Sequence, residues 1–359
     1  MSTLIHHPKR LLPEELDHYL SMGWRPTGQS IYNSNFLRLE NGEVVSVLPT
    51  RMELTNYTFT KSLRKLLRRN LARFRVAYGP ATMPSPDFLA VNQRYMLYCP
   101  DKSLENLEYH VLGNKLRRVF NTWETRVYDG DRLVAFSYFD LGSDSAYSKA
   151  GIYDPIYSKH SLGLFTLLLE VELCLRMQKA FFYPGYVSDE DEMFNYKHRL
   201  GKLFFYDMFS RCWRAYGEYP VLQKPLKINQ SKLLELKDLI KFGLIDSKLF
   251  IYPYLDLRYS VEGPSRYLDA PLLLHLKQSG NQRHLVVIYD NENGVFRVLD
   301  TKVVGFIMLR RVGMNQAGLP YFSDPLRTME QLYVSASAKD VFDYLFPSSL
   351  NRVDREEQV

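Results

Sequence analysis

The chain has 359 residues, 46% hydrophobic and 24% charged, which is the composition of an ordinary globular protein long enough for two or three domains. Its three cysteines are widely spaced and its first twenty residues lack an apolar stretch, so we expect no disulfide framework, no zinc site and no signal peptide. The net charge is only +6 and the longest apolar run, 162–175, is interrupted by two glutamates, so the sequence favours a cytoplasmic protein without a membrane partner.

The N-terminal part of the chain ends in a strongly basic stretch. Residues 1–53 are predicted to form turns and strands, and 61–74 an amphipathic helix with leucines at helical spacing. Between residues 54 and 86 there are seven basic residues and no acidic one. Such a face is typical of nucleic-acid binding, although a solvated face, or a patch for acidic protein or lipid, would have the same pattern. The candidate phosphate-binding residues are Lys61, Arg64, Lys65, Arg68 and Arg69.

The middle of the chain predicts a sheet with packed helices. After a loop at 81–86, the segments 125–128 and 133–139 read as a hairpin around an Asp-Gly turn. A third strand is predicted over 149–153. From Ser161 to about residue 180 the sequence is apolar almost all round, which indicates a buried helix, and a strand over 181–187 follows it. This order favours an α+β fold with a mixed sheet.

Beyond residue 225 the pattern changes again. A helix is predicted over 232–241, with Gly243 as a stop signal, and a three-stranded meander follows. We interpret residues 226–359 as a separate α+β extension whose role the sequence does not indicate. The predicted strands of the meander are 272–277, 285–289 and 295–299.

Several residues with chemical potential lie at the ends of the predicted central elements. Asp140 and Asp154 lie near strand ends, and Ser161-Leu162-Gly163 opens the buried helix, where free N–H groups favour an anion or a developing negative charge. Gly185-Tyr186 and Tyr196-Lys197 follow at the next strand and beyond. Each has an ordinary structural explanation, since turn aspartates and helix-capping serines are common.

In this order the motifs resemble one family. The run Phe139-Asp140-Leu141, Asp144, Tyr153-Asp154-Pro155, Ser161-Leu162-Gly163, Gly185-Tyr186 and Tyr196-Lys197 resembles the C-terminal domain of the arginyl-tRNA–protein transferases and their bacterial leucyl-transferring relatives. Gly23-Trp24-Arg25 and the basic segment 62–70 resemble the N-terminal half of the same family. The resemblance covers about residues 15–205.

Two departures from the family pattern stand out. The family's N-terminal domain normally holds a cysteine cluster for an iron–sulfur centre or zinc, whereas residues 32–48 contain no cysteine. Without thiolates a soft-metal site cannot form, so we expect no metal there and no cofactor. The family's Ser-Cys-Pro-Lys-Met loop is replaced by residues 189–194.

The resemblance implies three parts: an N-terminal transferase-like region over 1–110, a domain similar to Gcn5-related acetyltransferases (GNAT) over 111–225, and the extension over 226–359. It implies an aminoacyltransferase that moves an amino acid, of the arginine or leucine class, from charged tRNA to a protein N-terminus. That activity is protein arginylation, or its leucyl equivalent, in N-end rule tagging. Its partners are aminoacyl-tRNA and the acceptor protein.

The resemblance also implies roles for the residues. Asp140, Glu170 and Asp154 are the expected catalytic acids, with Asp154 more simply explained as a turn residue. The basic helix face would hold the tRNA acceptor stem. The expected substrate-binding residues are Ser161, Leu162, Gly163, Gly185, Tyr186, Tyr196 and Lys197.

Three other interpretations remain open. The chain could be an acyl-CoA-dependent N-acyltransferase of the same fold, or a non-catalytic relative that binds tRNA or peptide, as the missing cysteines allow. It could also be a transferase that uses another acceptor, such as a small amine.

Overall fold

The computed structural model describes residues 3–39, 43–100, 106–113, 118–188, 192–218, 224–241, 246–257, 266–279, 282–304 and 318–347. The chain forms two compact units, one of residues 4–35 and 47–219, the other of residues 1–3, 36–46 and 220–359. The predicted boundary at residue 110 falls inside the first unit. The predicted boundary at 225 falls close to residue 220, where the second unit resumes.

The helices and strands follow one another along the chain in mixed order. They are β1 (Thr3–His6), α1 (Pro13–Ser21), β2 (Arg25–Thr27), β3 (Ser30–Ser34), β4 (Phe36–Arg38), β5 (Val44–Ser46), β6 (Leu48–Glu53), α2 (Lys61–Leu71), β7 (Arg75–Pro80), α3 (Pro86–Tyr98), α4 (Leu107–Leu112), β8 (Thr122–Asp129), β9 (Arg132–Leu141), β10 (Ser145–Tyr153), α5 (Leu162–Arg176), β11 (Phe181–Val187), β12 (Phe204–Asp207), β13 (Cys212–Ala215), α6 (Pro225–Ile240), β14 (Lys248–Ile251), β15 (Leu272–Ser279), β16 (Arg283–Asp290), β17 (Val295–Val303), β18 (Leu326–Ser335) and α7 (Ala338–Leu345).

The first unit is built on an eight-stranded sheet in the order β13-β12-β6-β11-β10-β9-β8-β7. The pair β10–β11 is parallel, and the other neighbouring pairs are antiparallel. The predicted α+β fold with a mixed sheet is therefore confirmed. The predicted hairpin is confirmed as β8–β9, with Gly130 at φ 61° in its turn.

Helices cover both faces of this sheet. On one face α5 packs against β9 and β10, and α2 packs on α5. Leucines of α2 and α5 share a buried cluster with Val134 and Phe139 of β9. On the other face, Phe88 and Tyr95 of α3 pack against Phe136 and Tyr138 of the same strand. The core therefore lies on both sides of β9.

Both predicted helices of this unit are present, and each is shorter than predicted. The basic helix α2 ends at Leu71, and Thr60 caps its start by accepting a hydrogen bond from the Leu63 N–H at 3.4 Å. The apolar helix α5 ends at Arg176 and buries 11 of its 15 residues. An almost wholly buried helix explains why its sequence lacks a polar face.

Several helical segments are not predicted by the sequence, among them α1, α3 and the segment before Ser161. Helix α1 begins with Pro13, and helix α3 begins with Pro86, the residue at which the predicted loop 81–86 ends. Proline suits the first turn of a helix because the missing N–H has no acceptor there. After the predicted stop at Asp154-Pro155, residues 155–160 form a 3₁₀ helix that leads directly into Ser161.

The second unit contains a five-stranded antiparallel sheet in the order β14-β15-β16-β17-β18, which confirms the predicted meander. The predicted helix over 232–241 begins earlier, at Pro225, because the buried face of α6 continues from Leu233 back through Asn229. Gly243 and the acidic loop 189–191 lie outside the described residues. Within the described part of the chain, every helix is too short or too polar to cross a bilayer.

Candidate functional site

The central feature of the first unit is a gap between two neighbouring strands. The parallel pairing of β10 and β11 runs only from Ser145–Phe181 to Tyr147–Tyr183. Beyond it β10 stays paired with β9 as far as Tyr153, whereas β11 follows β6 through an irregularity between Phe182 and Gly185. The two strands therefore part, and a cavity of about 580 Å³ opens between them.

The cavity brings together most of the predicted substrate-binding residues. Its walls come from β10, from β11, from the start of α5, from the end of α3 and from the 3₁₀ helix 192–200. Leu162 alone of the predicted set does not line it, because its side chain is fully buried in the core. The predicted residues that line the cavity are Ser161, Gly163, Gly185, Tyr186, Tyr196 and Lys197.

The Ser161 turn has unusual backbone geometry. Ser161 has φ 53° and ψ 46°, a left-handed conformation that is uncommon for a residue other than glycine. The buried side chain of Asn70, in α2, donates to the carbonyl of His160 at 2.9 Å and so holds the turn from the side of the basic helix. Ser161 makes no cap hydrogen bond to α5, and the first N–H groups of this helix have no intrahelical acceptor. The Ser161 N–H itself donates to the Ser158 carbonyl at 3.0 Å, so the donors without an intrahelical partner at this wall are the first N–H groups of α5.

The opposite wall is held by a nearly buried lysine. Lys197 donates to the carbonyl of Tyr186 at 2.6 Å, and its ammonium lies 5.0 Å from the Tyr186 ring and 5.3 Å from the Phe194 ring. Gly185 has φ 94°, and a Cβ there would lie 3.3 Å from the Lys197 Nζ. These contacts hold the irregular part of β11 in place. Lys197 therefore stabilises this wall of the cavity by binding the backbone of β11.

Asp140 is paired inside the protein and does not line the cavity. Its carboxylate lies 3.0 Å from the Lys149 Nζ and accepts a hydrogen bond from Thr122 at 2.6 Å. Lys149 also donates to the Gly28 carbonyl at 2.7 Å, and it does line the cavity. Burial raises the pKa of Asp140 and lowers that of Lys149, and the attraction between the two opposes both shifts. Through its ion pair with Lys149, Asp140 thus links β9 and β10 to the N-terminal segment at Gly28.

Asp154 is also buried outside the cavity. Its side chain accepts from the Ile156 N–H at the start of the 3₁₀ helix, and it lies 2.9 Å from Arg94 Nε and 2.8 Å from a terminal nitrogen of Arg132. One carboxylate thus ties α3, β9 and the segment before Ser161 together. Asp154 therefore has the structural role of a turn residue, which the sequence analysis gives as its simpler explanation.

Glu170 lies on the other face of the sheet from Asp140. The hydroxyls of Ser137 and Ser148 approach it, and Ser137 and Asp140 are three residues apart on β9, so their side chains point to opposite faces. Glu170 is 1% exposed, and burial raises its pKa to about 8. The predicted catalytic carboxylates therefore do not converge on one point, and their catalytic role stays a prediction.

The basic face of α2 has the predicted form. Leu63, Leu66 and Leu67 are buried in the cluster shared with α5, and its five candidate phosphate-binding side chains are exposed. Arg64 donates to the Phe59 carbonyl at 3.0 Å, and within the described ranges none of the five forms an ion pair with an acidic side chain. An anionic partner would relieve the mutual repulsion of these charges.

Some residues of the cavity were missed by the sequence reasoning. Tyr95, Tyr98 and Cys99, at the end of α3, form one wall, and Tyr147 and Lys149 of β10 form another. The spacing of Tyr95 and Tyr98 after a Ser-Pro helix start was a signal for one helix face. The described residues contain no group of three or more His, Cys, Asp or Glu side chains placed to hold a metal ion.

Comparison with known proteins identifies the part of the chain that contains this cavity. Residues 83–207 match the family model described as "Arginine-tRNA-protein transferase, C terminus". A protein of Vibrio cholerae serotype O1 named aspartate/glutamate leucyltransferase is 26% identical over 201 residues, covering 54% of this chain and 80% of the relative. A protein of the same name from Campylobacter jejuni is 26% identical over 195 residues, covering 52% and 77%.

Among solved structures, the similarities are partial. A tandem GNAT protein from the clavulanic acid biosynthesis pathway has a TM-score of 0.31 at 13% identity, covering 55% of this chain and 58% of that one. L-PGS from Bacillus licheniformis has a TM-score of 0.30 at 12% identity, covering 47% and 50%. The sequence matches confirm the predicted resemblance to the arginyl-tRNA–protein transferase and bacterial leucyl-transferase family, and with it the predicted enzyme class, an aminoacyltransferase.

Proposed function

We propose that this protein transfers an amino acid from aminoacyl-tRNA to the N-terminal α-amine of an acceptor protein, and so marks that protein for degradation. The observation that carries the proposal is the cavity between β10 and β11. All the residues that line it lie within 83–207, the span that matches the transferase family. The same cavity contains six of the seven predicted substrate-binding residues.

The chemistry of this transfer suits the contents of the cavity. An aminoacyl ester is already activated, so the enzyme needs to align a neutral amine with the ester carbonyl, accept a proton and stabilise the tetrahedral oxyanion. The first N–H groups of α5 have no intrahelical acceptor, and Ser161 and Gly163 at this helix start line the cavity. These N–H groups suit an oxyanion or the hydroxyls of the terminal ribose.

The tRNA would approach from the side of α2. Asn70 joins α2 to the Ser161 turn, so the basic face and the cavity wall are parts of one connected structure. Phosphates of the acceptor stem would lie along the cations of α2, read by shape rather than by sequence. Tyr186 and Tyr196, in the cavity, would stack on the unpaired end of the tRNA. Lys197 donates to a backbone carbonyl, so we assign it to support of β11.

We infer the identity of the transferred amino acid from the names of the similar proteins. Those from Vibrio cholerae and Campylobacter jejuni are named aspartate/glutamate leucyltransferases. We therefore propose a leucyl donor before an arginyl one, and an acceptor whose first residue is aspartate or glutamate. The predicted cytoplasmic location, where charged tRNA is abundant, stays a prediction.

The test is transfer of labelled amino acid from charged tRNA to synthetic peptides. Leucyl- and arginyl-tRNA are supplied separately, the peptides differ only in their first residue, and parallel reactions contain ribonuclease. We expect label on peptides with acidic first residues and none after ribonuclease treatment. Equal transfer from free amino acid, or transfer of an acetyl group from acetyl-CoA in the absence of tRNA, would contradict the proposal. Binding of charged tRNA without any transfer would indicate the non-catalytic alternative.

A further inference from the structure

A buried carboxyl group lies directly behind the cavity wall. Glu170 is 1% exposed, and neither of its carboxyl oxygens has a hydrogen bond of normal geometry from any described residue. The hydroxyls of Ser137 and Ser148 are the polar groups that approach it from the sheet. An ionisable group left in this state is costly to charge, so such a group in a core calls for an explanation.

The other titratable groups facing Glu170 are neutral. They are Tyr78 from β7, Tyr196 from the 3₁₀ helix 192–200, and Cys174 from the next turn of α5. Burial raises the pKa of Tyr78 and of Cys174 to about 12, and raises that of Tyr196 well above its ordinary value. Desolvation is the largest cause of the raised Glu170 pKa, and no described cation offsets it.

Only one of the two serines beside Glu170 lines the cavity. Ser148 lines it, whereas Ser137 is fully buried in β9. We propose that the Ser148 hydroxyl carries a proton between a substrate in the cavity and Glu170. This inference rests on the proposed function, because it assigns the path of the proton that the attacking amine must lose.

The proposed step is balanced. The amine nitrogen forms a bond to the ester carbonyl carbon and gives a proton to the Ser148 oxygen, while the Ser148 hydroxyl proton passes to the Glu170 carboxylate. As the ester C–O bond breaks, Glu170 returns the proton through Ser148 to the ribose oxygen that leaves. Ser148 would touch the substrate, and Glu170 would act through it as a positioning residue.

The acidities of donor and acceptor suit this transfer. The ammonium form of a peptide α-amine has an ordinary pKa of roughly 7.7–8.0, and the attacking nitrogen carries a similar positive charge once it has bonded to the ester carbonyl carbon. The pKa of Glu170 is about 8. Transfer between groups of similar pKa is close to balanced in either direction, which favours a group that must first take a proton and then return it.

The two serines provide a matched test. Ser148→Ala and Ser137→Ala remove the same atom beside the same carboxyl group, one inside the cavity wall and one behind it. We expect Ser148→Ala to lower kcat on the order of 10²-fold with little change in the KM for charged tRNA, and Ser137→Ala to stay within about threefold of wild type. Equal effects of the two variants, or full turnover in Ser148→Ala, would overturn the proton path. A loss confined to Tyr196→Phe would place the path through that tyrosine instead and also overturn it.

Glu170→Gln adds a readout that a purely structural role would not change. The variant keeps the shape of the protonated acid and cannot accept a proton, so the ratio of wild-type to variant kcat should rise about 10-fold or more between pH 6.5 and pH 9. Using the ratio cancels the titration of the amine itself. A ratio that does not change with pH would contradict the proton path through Ser148 to Glu170. If wild type transfers nothing from charged tRNA, the proposed function fails together with the proton path, whereas an active wild type with unchanged variants removes the proton path alone.

Discussion

Two of the buried acids of the first unit, Asp140 and Glu170, show how a local partner decides the charge of a carboxyl group. Asp140 has a lysine at 3.0 Å and a threonine donor, so its charge is compensated. Among the described residues no cation offsets the burial of Glu170, and desolvation is the largest cause of its raised pKa. A buried charge is tolerated when it is paired and hydrogen-bonded, and otherwise the group holds its proton. Asp140 therefore acts as part of the scaffold, whereas burial raises the pKa of Glu170 to about 8, close to neutral pH.

The raised pKa of Glu170 makes the stability of the first unit depend on pH. In the unfolded chain the carboxyl ionises near pH 4.5, whereas in the folded chain it ionises near about 8. Between these values the folded state holds a proton that the unfolded state has lost, so the free energy of unfolding falls as pH rises, by about 1.4 kcal/mol per pH unit from this group. Below pH 4.5 and above about 8 the group contributes no further slope.

We expect Glu170→Gln to remove this slope. The free energy of unfolding of wild type relative to the variant should decrease steadily from pH 5 to pH 8, measured by denaturant unfolding followed through tryptophan fluorescence. Glu172→Gln makes the same chemical change at a half-exposed position of the same helix, and the slope due to Glu170 should persist in it. Parallel stability curves for wild type and Glu170→Gln would contradict the assignment.

At the scale of secondary structure, the irregular part of β11 controls the opening of the cavity. Gly185→Ala would impose a side chain at φ 94°, in contact with the Lys197 ammonium, and should cost roughly 1–3 kcal/mol of stability. We expect turnover to fall as well, because the displaced strand changes the cavity wall. The control is Gly130→Ala, at φ 61° in the β8–β9 turn, where a Cβ meets nothing within 4 Å. It should lose some stability and keep its turnover, as measured by unfolding and peptide labelling.

Helix α2 is the element expected to set the salt dependence of tRNA binding. Arg64→Glu/Arg68→Glu should weaken binding of charged tRNA and reduce the slope of log affinity against log salt by about 1 to 2, because two phosphate contacts are lost. The comparison is Lys227→Glu/Lys241→Glu, which reverses two exposed charges of the second unit, one in α6 and one at the residue that follows it. An unchanged slope in the α2 variant would place the tRNA elsewhere.

The sequence predicted elements well where one physical signal dominated. The strand Phe181–Val187 agrees to the residue, and α2 begins where its amphipathic pattern begins. The sequence does not predict helix α3, because its buried residues form only a weak apolar stripe and the two prolines at its start favour a loop. The separation of Asp140 and Glu170 could not be predicted either, since the face of a strand that a residue occupies depends on register, and a shift of one residue reverses it.

For the molecule as a whole, we expect the two units to unfold separately, because each has its own hydrophobic core. The first unit has its core on both faces of the eight-stranded sheet, and the second has its own between α6, α7 and the five-stranded sheet. Because each unit has a core of its own, we expect unfolding to depart from a single two-state transition.

The tryptophans allow this to be measured without altering the chain. All three, Trp24, Trp123 and Trp213, lie in the first unit, so their fluorescence reports on the unit that contains the cavity, whereas far-ultraviolet circular dichroism reports on both. The two signals should give different midpoints in guanidinium. Charged tRNA should raise the midpoint of the fluorescence transition alone, since a ligand stabilises the state that binds it. Superimposable transitions that shift together would mean that the two units unfold as one, and that the second unit contributes to the stability of the site.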